Sequence, residues 1–229
     1  KIAKKIKPSG LILEVKTAGP YINFYLDKKK FVSSVLKEAL EKGYGKHDTF
    51  KGKKAIIEHT SVNPNASPHI GRGRNAIIGD TLTRVLRAVG YNLKVHYYVN
   101  DVGKQIAVLV FGCENKDLNK LKFSDMLDNY VKAYKKIGEK PELEKYVLSL
   151  QKKFEDGDKE TVKKFKKIVS ICLEGQRAIL KRLNIDYDVF VHESDFLFDG
   201  SAEKVLNRIK KLPQVRYKGN SVYLDLSEF

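Results

Sequence analysis

Cysteine is scarce in this 229-residue chain. Cys113 and Cys172 are too few and too far apart for a disulfide scaffold or a zinc site built on CxxC pairs. No stretch approaches the about 20 apolar residues of a membrane span, and no secretory apolar segment is present. A cytoplasmic, membrane-free protein is the expectation. Five histidines without HExxH spacing give no metal-ligand pattern, so no protein-bound structural metal is expected. Acidic residues are also in short supply, 28 Asp and Glu against 44 Lys and Arg, which leaves a formal net charge of +16. Such an excess repels itself unless a polyanion or solvent screens it. Nucleic acid is the first partner to consider, and lysine used as surface filler is the alternative. An initiator methionine is missing too: the chain opens at Lys1 on residues that read as the middle of a domain, so a longer polypeptide is expected.

What is present centres on Val62-Asn63-Pro64-Asn65-Ala66-Ser67-Pro68-His69-Ile70-Gly71-Arg72-Gly73-Arg74. The apolar, β-branched run Ala55-Ile56-Ile57 before it reads as a buried strand. After it, Ala76-Ile77-Ile78, Leu82, Val85-Leu86 and Val89 recur at helical spacing. The chain therefore passes from strand to helix within the motif. Gly71 and Gly73 would let backbone approach a ligand, and the first turn of the helix offers unpaired N–H groups to an anion. A polar βα loop with an ordinary cap is the plainer account. The dinucleotide fingerprint does not apply, because it needs three glycines at set offsets directly after the strand.

Four segments follow from the pattern. Residues 1–52 read as the remainder of an α+β domain: strands at Leu11–Val15 and Tyr21–Leu26 around Ala18-Gly19-Pro20, then a helix capped by Asp27 with Phe31, Val32, Val35, Leu36 and Leu40 as its apolar stripe. Residues 53–112 hold strand Ala55–Glu58, the motif, a helix over Arg74–Val89 and strand Leu93–Val99, a right-handed βαβ unit with parallel strands. Ligands in such sheets bind beyond the carboxyl ends of the strands. Both polar clusters fall there, the second being Asn100-Asp101-Val102-Gly103-Lys104-Gln105. Residues 113–186 read as a charged helical insertion with helices over Phe123–Tyr134, Pro141–Phe154 and Thr161–Leu183. Their lysines suit either a solvated face or a nucleic-acid face. Residues 187–229 return to a mixed α/β segment: an alternating run at Tyr187–His192, a helix over Ser201–Leu212 with Val205, Leu206 and Ile209 inward, and a hairpin around Gly219-Asn220. The parallel sheet is expected to be incomplete, and Asp225–Phe229 offers no C-terminal cap.

His69 is the leading catalytic candidate, suited to donate to phosphate oxygens as they gain charge. Arg72 and Arg74 are suited to clamp polyphosphate through paired donors. Glu58, at a strand end, is suited to a cationic substrate group, and Asn63 to neutral hydrogen bonds beside it. Asp80 lies one helical turn before Arg84 and reads as a local ion pair. His59 and His192 read as structural polar groups.

The segments Glu58-His59-Thr60-Ser61-Val62-Asn63-Pro64, Pro68-His69-Ile70-Gly71, Arg74-Asn75-Ala76-Ile77-Ile78-Gly79-Asp80 and Asn100–Gln105 together closely resemble the catalytic domain of archaeal-type arginine-tRNA ligases, of synthetase class I. Gly19–Leu26 looks like the end of that family's N-terminal tRNA-contacting domain. Glu193-Ser194-Asp195-Phe196 and Gly219–Tyr223 resemble segments in and after the insertion in its Rossmann core. The fold implied is α/β, the first half of a Rossmann-like catalytic domain with a largely helical insertion, preceded by a small α+β domain. The resemblance implies ATP, carrying Mg2+, together with L-arginine and tRNA as partners. Arginyl-adenylate is the intermediate it implies, followed by transfer to the 3′-terminal adenosine. It gives His69 and Gly71 to ATP, beside Arg72 and Arg74, which their own chemistry suits to the same phosphates; His69 and Arg72 are the catalytic candidates. Glu58, Asn63 and Gln105 go to arginine, and Asn23 to the tRNA acceptor end.

Two departures stand out. Arg72 replaces the second histidine of the family signature, and no lysine-bearing KMSKS-type loop or anticodon-binding domain is found in these residues. The isolated chain is therefore expected to be a poor aminoacylation catalyst. A non-catalytic, tRNA-binding paralogue and an unrelated phosphate-binding or nucleotidyl-transfer protein are the competing readings.

Overall fold

A computed structural model describes residues 2–65, 69–219 and 221–227. The expectations that touch Lys1, Ala66-Ser67-Pro68, Asn220 and Glu228-Phe229 lie outside the described residues. The chain divides into two compact units, Lys1–Lys51 with Ala88–Gly90, and Gly52–Arg87 with Tyr91–Phe229.

In the first unit, strands β1 (Ile12–Ala18) and β2 (Tyr21–Leu26) pair antiparallel with Ala18 opposite Tyr21. Gly19, at φ +56°, takes the left-handed conformation that a tight hairpin needs at its first loop residue. The first strand starts and ends later than expected, because Lys16-Thr17-Ala18 continues the pairing up to that turn. Helix α1 (Lys28–Leu40) begins where Asp27 Oδ1 accepts the Lys30 N–H at 3.2 Å. Its expected inward stripe is open: Phe31, Val32, Leu36 and Leu40 are exposed. The unit's one helix and two strands are too thin a set of layers to cover that face.

The second unit is built on a parallel sheet in the order β3-β4-β5, from β3 (Lys54–Glu58), β4 (Asn92–Val99) and β5 (Val189–His192). Ile57 lies opposite Val95, and His96 opposite Val189. The central strand buries Leu93, Val95, Tyr97 and Val99 in strict alternation. Strand β3 sits at the edge of the sheet; Ala55 and Ile57 reach the core from one face, while Ile56 on the other is 67% exposed. The apolar run predicts a buried strand, but Ile56 lies beside Lys94 on a sheet face left uncovered, where the central strand too carries exposed and half-buried residues.

Helix α2 (Ile70–Ala88) joins β3 to β4 and buries Ala76, Gly79 and Thr83. From β4 the chain passes through α3 (Lys104–Cys113), α4 (Phe123–Glu139), α5 (Glu142–Glu155) and α6 (Lys159–Lys181) before returning as β5. Their packing supplies most of the core, including stacked Phe154 and Phe165 with ring centroids 4.4 Å apart. Cys172 lies buried there as plain core, its thiol pushed up to about 12 by burial. Leu180 rather than Leu183 closes the inward face of α6. Short helices α7 (Glu193–Phe198) and α8 (Ser201–Ile209) follow, then the hairpin β6 (Val215–Lys218) and β7 (Ser221–Leu224). Val205 and Leu206, expected inward, are exposed on α8. No helix among the described residues is long and apolar enough to cross a membrane.

Candidate functional site

Glu58 is the last residue of β3, and Gln105 is the second residue of α3, just beyond β4. The Asn63 amide donates to Gln105 Oε1 at 3.1 Å, which joins the two polar clusters beyond the carboxyl ends of adjacent parallel strands. Helix α3 can start there because Gly103 adopts φ +97°.

Between Glu58 and Asn63 the main chain leaves the ordinary regions. Thr60 has φ +74° and Ser61 φ +41°, left-handed values that cost non-glycine residues of order 1–3 kcal/mol each. Neighbouring groups hold both residues. Ser61 Oγ donates to Glu58 Oε1 at 3.1 Å and accepts the Tyr98 N–H at 3.1 Å. Tyr187 donates its hydroxyl to Thr60 Oγ1 at 2.6 Å, and His59 Nδ1 lies 2.9 Å from the same oxygen. Burial pushes the Tyr187 phenol up to about 12, so it stays a neutral donor. Burial lowers the His59 pKa, while the Asp80 carboxylate works in the opposite direction. A Cβ on Gly79 would come 2.3 Å from His59 Cγ, so only glycine leaves room for that ring against α2.

His69, Gly71, Arg72 and Arg74 stand at the start of α2. The helix begins at Ile70, four residues earlier than the sequence pattern predicts. Gly71 and Gly73 are therefore helical residues, not the hinges of a phosphate loop. The Gly73 N–H is already bonded to the His69 carbonyl at 2.9 Å, which removes it as an anion donor. A Cβ at Gly71 would lie 3.2 Å from His69 Cε1, so the absent side chain leaves space for the imidazole over the first turn. Exposed His69 and Arg74 face solvent, whereas Arg72 is half-buried and its charge is felt by the Tyr97 phenol. Asn23 belongs to the other unit, on the exposed side of β2 and opposite Lys16.

Asp101, 3% exposed, ties the end of β4 to the end of β5. Its carboxylate lies 2.9 Å from His192 Nδ1 and accepts the Ser194 N–H at 2.9 Å and hydroxyl at 2.8 Å. His192 thus has the structural role expected of it. Asp80 likewise pairs with Arg84 at 2.6 Å, and Arg84 also reaches the Asn184 carbonyl. Tyr97, Tyr187, Tyr98 and Gln176 escaped the sequence reading. Each is a hydroxyl or amide whose sequence neighbours do not say what it meets.

A parallel sheet whose first strand ends on an acidic residue ahead of a histidine-led helix, with polar groups gathered at adjacent strand ends, defines an α/β protein with a candidate ligand site beyond those ends. Comparison with known proteins specifies which. Residues 32–229 match the family described as "tRNA synthetases class I (R), catalytic domain". The chain belongs to this arginyl-tRNA synthetase family. It is 43% identical over 227 residues to the arginine–tRNA ligase of Methanocaldococcus jannaschii, a match covering 95% of this chain and 40% of the relative. Against that of Methanoregula boonei the figures are 41% over 225 residues, 96% and 40%. The Thermus thermophilus arginyl-tRNA synthetase structure superimposes with TM-score 0.60 at 27% identity, covering 96% of this chain and 36% of that one. The Plasmodium falciparum enzyme, at TM-score 0.63 and 17% identity, covers 96% and 40% and shares the fold. The chain thus spans about 40% of the length of the curated relatives it matches.

Proposed function

We propose that this chain supplies the arginine- and ATP-binding part of a cytoplasmic arginine–tRNA ligase, with the acceptor end of tRNA as its nucleic-acid partner. The observation that carries the reading is the Asn63–Gln105 hydrogen bond, which gathers candidate amino-acid contacts beyond neighbouring strand ends, the first of which is closed by Glu58. In this reading the Glu58 carboxylate receives the cationic substrate, a charge-assisted contact stronger than a neutral one. Asn63 and Gln105 add neutral hydrogen bonds that fix its orientation. His69 and the first turn of α2 meet the phosphates of ATP, which enters with its Mg2+ as substrate. The arginine carboxylate attacks the α-phosphorus, pyrophosphate leaves, and arginyl-adenylate forms. The His69 imidazole donates to phosphate oxygens as they gain charge. A ribose hydroxyl of the terminal adenosine then attacks the arginyl carbonyl, and AMP departs.

Arg72 keeps a permanent positive charge where the family signature has a histidine, which suits ground-state phosphate binding. Asn23 and residues 1–52 are assigned to the tRNA side, in keeping with a formal charge of +16. The helices over residues 113–186 are assigned to an insertion within the nucleotide fold.

Isothermal titration of the chain with L-arginine and with MgATP tests this proposal. Saturable binding of arginine, with L-lysine at least about tenfold weaker and Glu58→Gln about tenfold or more weaker, is the expected result. Binding of tRNA with neither small ligand would instead favour the non-catalytic paralogue, a reading to which Arg72 lends support.

A further inference from the structure

Beneath the Val62-Asn63 step lies a set of hydrogen bonds whose donors and acceptors come from distant parts of the chain. Tyr97 in β4 and Gln176 in α6 are each 1% exposed. The Val62 N–H donates to the Tyr97 hydroxyl oxygen at 3.0 Å. That hydroxyl in turn faces two acceptors, the Val62 carbonyl at 3.1 Å and Gln176 Oε1 at 2.9 Å. Gln176 Nε2 donates to the Asn63 carbonyl at 3.0 Å. A phenol carries one proton, so it serves one of its two acceptors at a time.

We infer that Tyr97 and Gln176 are positioning residues: together they fix the main chain at Val62 and Asn63, and thereby aim the Asn63 amide at the substrate amino acid. The consequence for arginine rests on the role of Asn63 proposed above; the consequence for the loop does not. Residues 62 and 63 follow the left-handed pair Thr60 and Ser61 and belong to no strand or helix. Such a conformation persists only where surrounding structure over-determines it. A glutamine among Cys172, Leu173 and Leu180 is also a costly choice for packing alone, because a buried amide without partners is penalised and an apolar side chain there is not. Both ends of the Gln176 amide are engaged by the loop and its holder, which accounts for the polar residue.

Neither side chain is placed to touch substrate. Their action runs through Asn63, whose amide is already oriented on its far side by Gln105. Tyr97→Phe keeps the ring, including its edge contact with Tyr187, but strips the Val62 N–H of its acceptor. Gln176→Met keeps length and removes the bonds to the Tyr97 hydroxyl and the Asn63 carbonyl.

The test compares the full chain with these two variants in three measurements: the Asn63 side-chain amide and Val62 amide resonances by heteronuclear NMR, the dissociation constants for L-arginine and MgATP, and thermal unfolding. The expected result is a displaced Asn63 resonance and roughly tenfold weaker arginine binding in each variant, with MgATP binding changed less than about twofold and the folded spectrum retained. Unmoved Asn63 resonances, equal weakening of both ligands, or collapse of the fold in both variants would overturn the inference, the last by making the pair a plain core element. Failure of the unaltered chain to bind arginine would remove the substrate reading alone. The Asn63 shifts then still decide whether Tyr97 and Gln176 hold the loop.

Discussion

The two crossovers of the parallel sheet bury themselves very differently. Helix α2, between β3 and β4, buries Ala76, Gly79 and Thr83 and leaves Ile77, Ile78, Leu82 and Val85 largely exposed. Helix α3, opening the passage from β4 to β5, buries Ile106 through Val110 without interruption, and α6 buries Phe165, Ile168, Val169, Cys172 and Leu173. The candidate nucleotide contacts stand on the first crossover, and Gln176 of the second is bonded to the loop that carries Asn63. In the proposed reading, ligand contacts stand on the open side and the backbone at Asn63 is held from the covered side. The division suits a site in which ligand must reach side chains whose backbone must not move.

The largest test of that contrast is Phe165→Ala against Leu82→Ala. Loss of the stacked ring is expected to cost about 3–5 kcal/mol, and the α2 change about 0.5 kcal/mol, both read from urea unfolding midpoints. A second comparison sits within α2. Gly79→Ala forces a Cβ into the His59 ring and is expected to destabilise by about 2 kcal/mol, whereas Gly73→Ala meets open space and gains up to about 1 kcal/mol from helix propensity.

A smaller effect comes from pH. The folded-state pKa of His59 is lowered by burial from 6.5, so between the folded value and 6.5 the unfolded chain binds more protons. Its contribution is present above pH 6.5 and is lost as pH falls toward the folded value. Unfolding midpoints measured from pH 7.5 to 5 should therefore decline less steeply in His59→Gln than in the unaltered chain. The smallest expected change is Arg72→His, which should alter MgATP affinity while leaving L-arginine affinity within about twofold, by calorimetry.

The same contrast explains what could be read from residues alone. Strands β3 and β4, the Asp27 cap and the β6–β7 hairpin were legible because alternation, side-chain capping and turn residues are local signals. Helix α3 was missed. Buried without interruption, its run from Ile106 to Val110 carries no amphipathic period to distinguish helix from strand. The start of α2 was placed late because Gly71 and Gly73 resemble loop residues, although a first helical turn tolerates them. Asn63 and Gln105 were legible as neighbours, since both follow strands that a βαβ unit makes adjacent. Tyr97 and Gln176 were not, because their pairing spans 79 positions and depends on how α6 seats over β4.

In the proposed reading the clusters after β3 and β4 form one amino-acid and nucleotide site. Titration of isotope-labelled chain with L-arginine, followed by MgATP, tests it most directly. The expected result is saturable resonance shifts at Glu58, Asn63 and Gln105 with arginine, then at Ile70 through Arg74 with MgATP. Arginine that moves none of those three residues, or that moves residues of α8 instead, would contradict the account.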